Sequence, residues 1–141
     1  MVSDRELVFV YGTLRQGGSR AIPGLFPDAE LIGFGSLRGV LYDFGAYPGL
    51  VIGDGPESVA VVGEVYRVSQ AALRRMDRIE EFDKRDVEGS HYWRRRCTIQ
   101  LQDGGQCEAW VYECNPRHFQ LSRRITSGDW IAYVRAKRYA T

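Results

Sequence analysis

Glu30-Leu31-Ile32-Gly33-Phe34-Gly35-Ser36-Leu37-Arg38-Gly39-Val40-Leu41-Tyr42-Asp43-Phe44 alternates apolar residues with small or polar ones and carries three glycines inside the run. Alternation at a period of two is a strand signal, and glycine within a strand marks a bulge, a bend or a close backbone approach. The stretch therefore predicts a bent or bulged strand pair, and a sheet built on it curves toward a barrel. On its N-terminal side, Leu7-Val8-Phe9-Val10-Tyr11 is a β-branched and aromatic run stopped by Gly12, the pattern of a strand buried on both faces. On its C-terminal side, Tyr47-Pro48-Gly49-Leu50 and the turn-rich residues 53–56 lead into a second strong strand over residues 59–68. Ser69 ends that strand and can cap a helix.

Residues 12–27 hold Gly17, Gly18, Ser19, Pro23 and Gly24 with little periodicity, so a long irregular loop follows the first strand, and loops of that length are often functional. Residues 70–82 are good helix formers. Leu73, Met76 and Glu80 fall at i, i+3 and i+7 there, which sets a carboxylate on the face that the apolar residues turn inward. After a charged loop over residues 83–89, two apolar runs over residues 92–101 and 107–114 flank Asp103-Gly104-Gly105-Gln106, a hairpin signal. A two-residue turn at Gly104 and Gly105 would pair Ile99 with Trp110, Cys97 with Tyr112 and Arg96 with Glu113. It would also set Cys107 against Gln102 and Cys114 against Arg95, which leaves no cross-strand disulfide. A polar loop follows Asn115-Pro116, and Trp130, Val134 and Lys137 mark a terminal helix over residues 130–138. The elements make an α+β fold with a mostly β core.

The chain has 141 residues, with 44% hydrophobic and 26% charged, values that exclude wholesale disorder and suit one domain over residues 1–141. Nineteen basic against eighteen acidic residues leave a net charge of +1, so no global field draws the chain to nucleic acid or an anionic membrane. The charged start through Asp4, Arg5 and Glu6 is not a signal peptide, and no apolar stretch is long enough to span a bilayer. Cys97, Cys107 and Cys114 form no CxxC pair and no even framework, which points to a reducing compartment and a cytoplasmic address.

His91 and His118 lack HExxH or cysteine partners at ligand spacing, so no metal site is expected. A GxSxG elbow is missing, and the three cysteines fall in strands rather than in an electropositive exposed site. Arg94-Arg95-Arg96 alternates between strand faces, and the run reads as solvated arginines with Arg96 paired to Glu113. Two features remain. Tyr11-Gly12-Thr13-Leu14 closes a buried strand, where successive backbone amides can form a concave nest for a carboxylate. Glu80 sits on an inward face, where its pKa can rise toward neutrality and fit it to shuttle a proton. Each also has a plain structural reading, a simple turn for the first and an ion pair with an arginine for the second.

Phe9-Val10-Tyr11-Gly12-Thr13-Leu14, Tyr47-Pro48-Gly49, Val62-Gly63-Glu64-Val65-Tyr66, Met76-Asp77-Arg78-Ile79-Glu80, Ser90-His91-Tyr92-Trp93-Arg94 and Ser127-Gly128-Asp129-Trp130 resemble, in order, the γ-glutamylcyclotransferase-like proteins. The resemblance spans nearly the whole chain. It implies a small mixed, mostly antiparallel β-barrel with flanking helices, and no cofactor. It further implies that Tyr11, Gly12, Thr13, Leu14 and Tyr92 bind a small γ-glutamyl substrate while Glu80 acts as acid and base. In that chemistry the substrate's α-amine attacks its own γ-carbonyl, closing 5-oxoproline and releasing the attached amine or amino acid. Met76 stands where the family usually has leucine, and Glu81 stands where a glycine often follows the glutamate. If residues 70–82 are helical throughout, Glu81 turns about 100° away from the apolar face, which favours Glu80. The rival expectation is a non-catalytic module that keeps the pocket to bind an amino acid or to anchor a partner.

Overall fold

The computed structural model describes residues 5–139, so of the charged start read above as no signal peptide only Arg5 and Glu6 lie within them. Strands β1 (Arg5–Val10), β2 (Glu30–Asp43), β3 (Pro48–Ile52), β4 (Val59–Ser69), β5 (Tyr92–Leu101) and β6 (Gln106–Cys114) form one sheet in the order β3-β2-β4-β1-β6-β5. Three helices flank it, α1 (Ile22–Leu25), α2 (Gln70–Ile79) and α3 (Trp130–Tyr139). A further pairing of β2 with β5 closes five of the strands into a barrel, with β3 added at the edge of β2. The barrel is mixed: β1 runs parallel to β6, and every other pairing is antiparallel.

Residues 30–43 form one long strand rather than the pair expected, because the glycines bend it instead of ending it. The register against β4 shifts between Leu31 and Gly33, a bulge that turns the strand. At Gly35 the strand meets Leu101 of β5, and an added Cβ would lie 2.6 Å from the Gln100 carbonyl oxygen. Only a glycine lets the two backbones approach closely enough to shut the barrel. Phe9, Leu41, Val65, Ile99 and Val111, one from each barrel strand, are fully buried in a single cluster that also takes Trp130 and Ile131 of α3. The alternate residues of β1, Val8 and Val10, pack instead with Leu73 and Met76 of α2. β1 is thus buried on both faces, as its unbroken apolar run predicts. Among the described residues no helix is long and apolar enough to cross a membrane.

The hairpin register differs from the expectation by three. Ile99 faces Cys107, Cys97 faces Ala109, Arg96 faces Trp110 and Tyr92 faces Cys114. Gly104 adopts a left-handed φ of 98° after a turn closed by its amide on the Leu101 carbonyl at 3.0 Å, so the loop has three residues rather than two. An odd shift exchanges the faces, and the arginines follow. Arg96 lies over the Trp110 ring and pairs with Glu6 at 3.1 Å, while Arg95 takes Glu113 at 2.7 Å. Nor is Arg94 a solvated arginine: it is mostly buried, 2.8 Å from Asp77 and stacked on Trp110. All three cysteines are free thiols.

Candidate active site

The buried strand β1 ends at Val10, and residues 11–14 then line a cavity of about 250 Å³ beside α2 and β3. Every site residue expected from sequence lines this one cavity: Tyr11, Gly12, Thr13, Leu14, Glu80 and Tyr92. The turn is held by its carbonyls. Those of Gly12, Thr13 and Leu14 accept from the amides of Arg15 at 3.0 Å, Arg20 at 2.8 Å and Ile22 at 2.9 Å. Among the described residues no such bond engages the amides of Gly12, Thr13 and Leu14, which leaves three neighbouring donors on the cavity-lining loop. Gly12 has a packing reason as well, since an added Cβ would lie 2.7 Å from the Pro48 ring.

A buried brace holds the loop from behind. Arg15 pairs with Glu64 of β4 and with Asp129 before α3, each at 2.9 Å, and Glu64 also accepts from the Gln16 amide and the Tyr66 hydroxyl at 2.9 Å. Glu64 is 2% exposed, so three groups meet on one desolvated carboxylate. Motifs around Glu64 and Asp129 carried the resemblance in sequence, and the fold uses both to fix this loop. The pairing itself was not legible, because its members lie 49 and 114 residues from Arg15.

The two tyrosines are walls with tied hydroxyls. Tyr11 donates to the Tyr112 carbonyl at 2.5 Å and accepts from the Leu50 amide at 3.3 Å, while Tyr92 donates to the Pro48 carbonyl at 2.7 Å. Burial raises the pKa of each, with Glu80 adding to it, so both stay neutral.

Glu80 reaches the cavity in a different way from that expected. Ser69 caps α2 as expected, accepting from the Ala72 amide at 3.0 Å, and Leu73 and Met76 are buried, but the helix ends at Ile79. Glu80 is its C-cap. The Glu81 amide donates to the Arg78 carbonyl at 3.2 Å and the Phe82 amide to the Asp77 carbonyl at 2.8 Å, the paired bonds of a Schellman ending. That ending needs a left-handed residue, and Glu81 has a φ of 53°. The geometry supplies the physical reason for glycine after the glutamate in the family pattern. It also replaces the helical 100° argument: Glu81 is separated from Glu80 by a chain reversal. Exposed at the cavity rim, Glu81 pairs through its carboxylate with His91, whose amide donates to the Glu81 carbonyl at 3.1 Å. Glu80 keeps partial exposure, yet burial raises its pKa to about 7, with Arg20 pulling it down. A carboxyl so poised exchanges protons at neutral pH.

Sequence reasoning missed Arg20, Pro48 and Tyr112 at this cavity. Pro48 lay within a quoted motif but had no role, and nothing in the glycine-rich loop singles out Arg20.

The model of the family described as "Gamma-glutamyl cyclotransferase, AIG2-like" matches residues 8–132. A Vibrio cholerae protein that carries the name gamma-glutamylcyclotransferase provisionally is 40% identical over 132 residues, covering 92% of this chain and 99% of that one. The gamma-L-glutamyl-butirosin B gamma-glutamyl cyclotransferase of Niallia circulans is 34% identical over 128 residues, 89% of this chain and 76% of that protein. Among solved structures, an aig2-like protein from Mus musculus superposes with a TM-score of 0.64 over 86% of each chain at 23% identity, a likeness of fold. With five strands closed around β1, the loop after it in the cavity and a match that runs from β1 into α3, the chain belongs to the gamma-glutamyl cyclotransferase, AIG2-like family of enzymes.

Proposed function

We propose that this protein converts a γ-glutamyl amine or γ-glutamyl amino acid to 5-oxoproline and the free amine or amino acid, with Glu80 as the general acid and base. The observation that carries the reading is the carboxyl of Glu80, with a pKa of about 7, in the same cavity as the unengaged amides of residues 12–14. In this mechanism those amides take the α-carboxylate of the glutamyl group, and the rings of Tyr11 and Tyr92 wall the chain into a bent conformer. The α-nitrogen attacks the γ-carbonyl carbon while its proton passes to the Glu80 carboxylate. The bond to the departing nitrogen then breaks as Glu80 returns that proton to it. An α-amino group has a pKa of about 8, so the base is needed near neutrality. Holding the two reacting atoms of one molecule together contributes several kcal/mol more. Glu81, across the chain reversal and paired to His91, takes no part.

The test is incubation with a panel of γ-glutamyl amines and γ-glutamyl amino acids, with 5-oxoproline measured directly. Release above the uncatalysed rate from at least one compound is expected. Calorimetric binding with no release from any of them would favour a pocket that only binds.

A further inference from the structure

Glu80 has a cationic neighbour that the chemistry above does not use. Arg20 is exposed and lines the cavity, which places it at the rim, and it is the one arginine or lysine among the described lining residues. Its backbone is tied to the loop through the bond from its amide to the Thr13 carbonyl. Its guanidinium has no ion pair or hydrogen bond among the described residues, whereas Arg15, a few residues earlier, is fully engaged. Its charge nonetheless lowers the pKa of the Glu80 carboxyl and the Tyr92 phenol, so it is felt at the reacting region. The other ionisable side chains at the rim, Glu81 and His91, pair with each other.

We propose that Arg20 recognises a carboxylate on the departing half of the substrate, so that this chain prefers γ-glutamyl amino acids to γ-glutamyl amines. The inference rests on the cyclotransferase reading and narrows it. One carboxylate of the substrate is accommodated by the amides of residues 12–14. A second anion-recognising group, at the rim beside the proton carrier, fits the part of the substrate that leaves toward solvent. A guanidinium suits that task, presenting a planar set of donors that matches a carboxylate with two parallel bonds.

The experiment compares γ-glutamyl-alanine with γ-glutamyl-ethylamide, which lacks only the second carboxylate, in the intact protein, Arg20→Gln and Arg20→Lys. The intact protein is expected to favour γ-glutamyl-alanine in kcat/KM by about tenfold or more, the size expected of a hydrogen-bonded charge pair. Arg20→Gln should bring the ratio of the two substrates close to one, and Arg20→Lys should keep part of the preference. An intact protein indifferent between the two, or an Arg20→Gln loss equal for both, overturns the proposal; the latter would assign Arg20 to the shared glutamyl half. If the intact protein releases 5-oxoproline from neither compound nor from any other member of the γ-glutamyl panel, the cyclotransferase reading fails on its own. Calorimetry then decides Arg20. Selective loss of γ-glutamyl-alanine binding in Arg20→Gln sustains the carboxylate site, and equal binding or no binding of the two compounds overturns it.

Discussion

Two adjacent carboxylates, Glu80 and Glu81, meet opposite fates because the helix ends just before them and Glu81 turns left-handed. Glu80 is expected to be the proton carrier, so Glu80→Gln keeps the shape of the side chain and lowers turnover by about a hundredfold or more. In the intact protein the rate should rise as pH climbs through about 7, where Glu80 becomes the base, and this limb should be missing from the residual activity of Glu80→Gln. The same group bears on stability. Its folded pKa of about 7 lies above the unfolded value of about 4.3, so its favourable contribution is complete at low pH and is lost as pH rises through that window. Glu80→Gln should therefore be more stable than the intact protein at pH 8, by no more than about 4 kcal/mol, and show no such gain at pH 4. An equal difference at both pH values would remove Glu80 from the titration. Glu81 sits in a left-handed conformation that suits glycine, and its exposed pair with His91 contributes little. Glu81→Gly is expected to raise the melting temperature by about 3 °C with turnover kept, measured by calorimetry and 5-oxoproline release.

Among the elements, the loop after β1 is rigid where it matters because a buried charge network backs it. Arg15 reaches Glu64 in β4 and Asp129 at the start of α3, so three parts of the chain share one set of charges. Removing one partner leaves the nearly unexposed Glu64 carboxylate with less compensation, a loss of about 3 kcal/mol for Arg15→Met. Urea unfolding of Arg15→Met, Glu64→Gln and the double variant should show strong coupling, with the double variant costing clearly less than the sum. Additive losses would mean that the two side chains stabilise the fold independently. In the β5–β6 hairpin a single loop residue decided the partners of Arg95 and Arg96, since one left-handed glycine sets a three-residue turn where two adjacent glycines suggested two.

At the scale of the molecule, α3 closes onto the barrel through Trp130 and Ile131 in its interior cluster, and through one carboxylate of β2. Asp43 is 4% exposed and accepts from Tyr133 at 2.6 Å, Lys137 at 2.9 Å and the Gly45 amide at 2.7 Å. Burial pulls its pKa up, but these hydrogen bonds and the charge of Lys137 outweigh it and hold the carboxyl at about 2. The sign is the reverse of that for Glu80. A depressed pKa contributes stability that is complete above the unfolded value of about 3.9 and is lost as pH falls toward 2. Asp43→Asn should be destabilised at pH 6, and the gap should close between pH 4 and 2 in acid melts. A gap that persists at pH 2 would assign the loss to packing rather than to the charge.

Local chemistry along the chain settles much of this protein. The unbroken apolar run at residues 7–11, the alternation at residues 59–68 and the Ser69 cap each act over a few residues, and each element formed as its pattern requires. The ordered motifs also brought Tyr11, Gly12, Thr13, Leu14, Glu80 and Tyr92 to notice together, and they line one cavity. The features that depend on the folded molecule involve distance along the chain or a single backbone angle. Glycines at residues 33 and 35 were legible as a bend, but not that the bent strand would meet β5 and shut the barrel, which depends on a partner more than 60 residues away. Nor does sequence spacing encode the left-handed turn at Glu81 that parts the two carboxylates, or the place of Arg20 at the cavity with no side-chain partner among the described residues. Periodic patterns report which face of an element is apolar; they carry no information on which charges the closed fold leaves without partners.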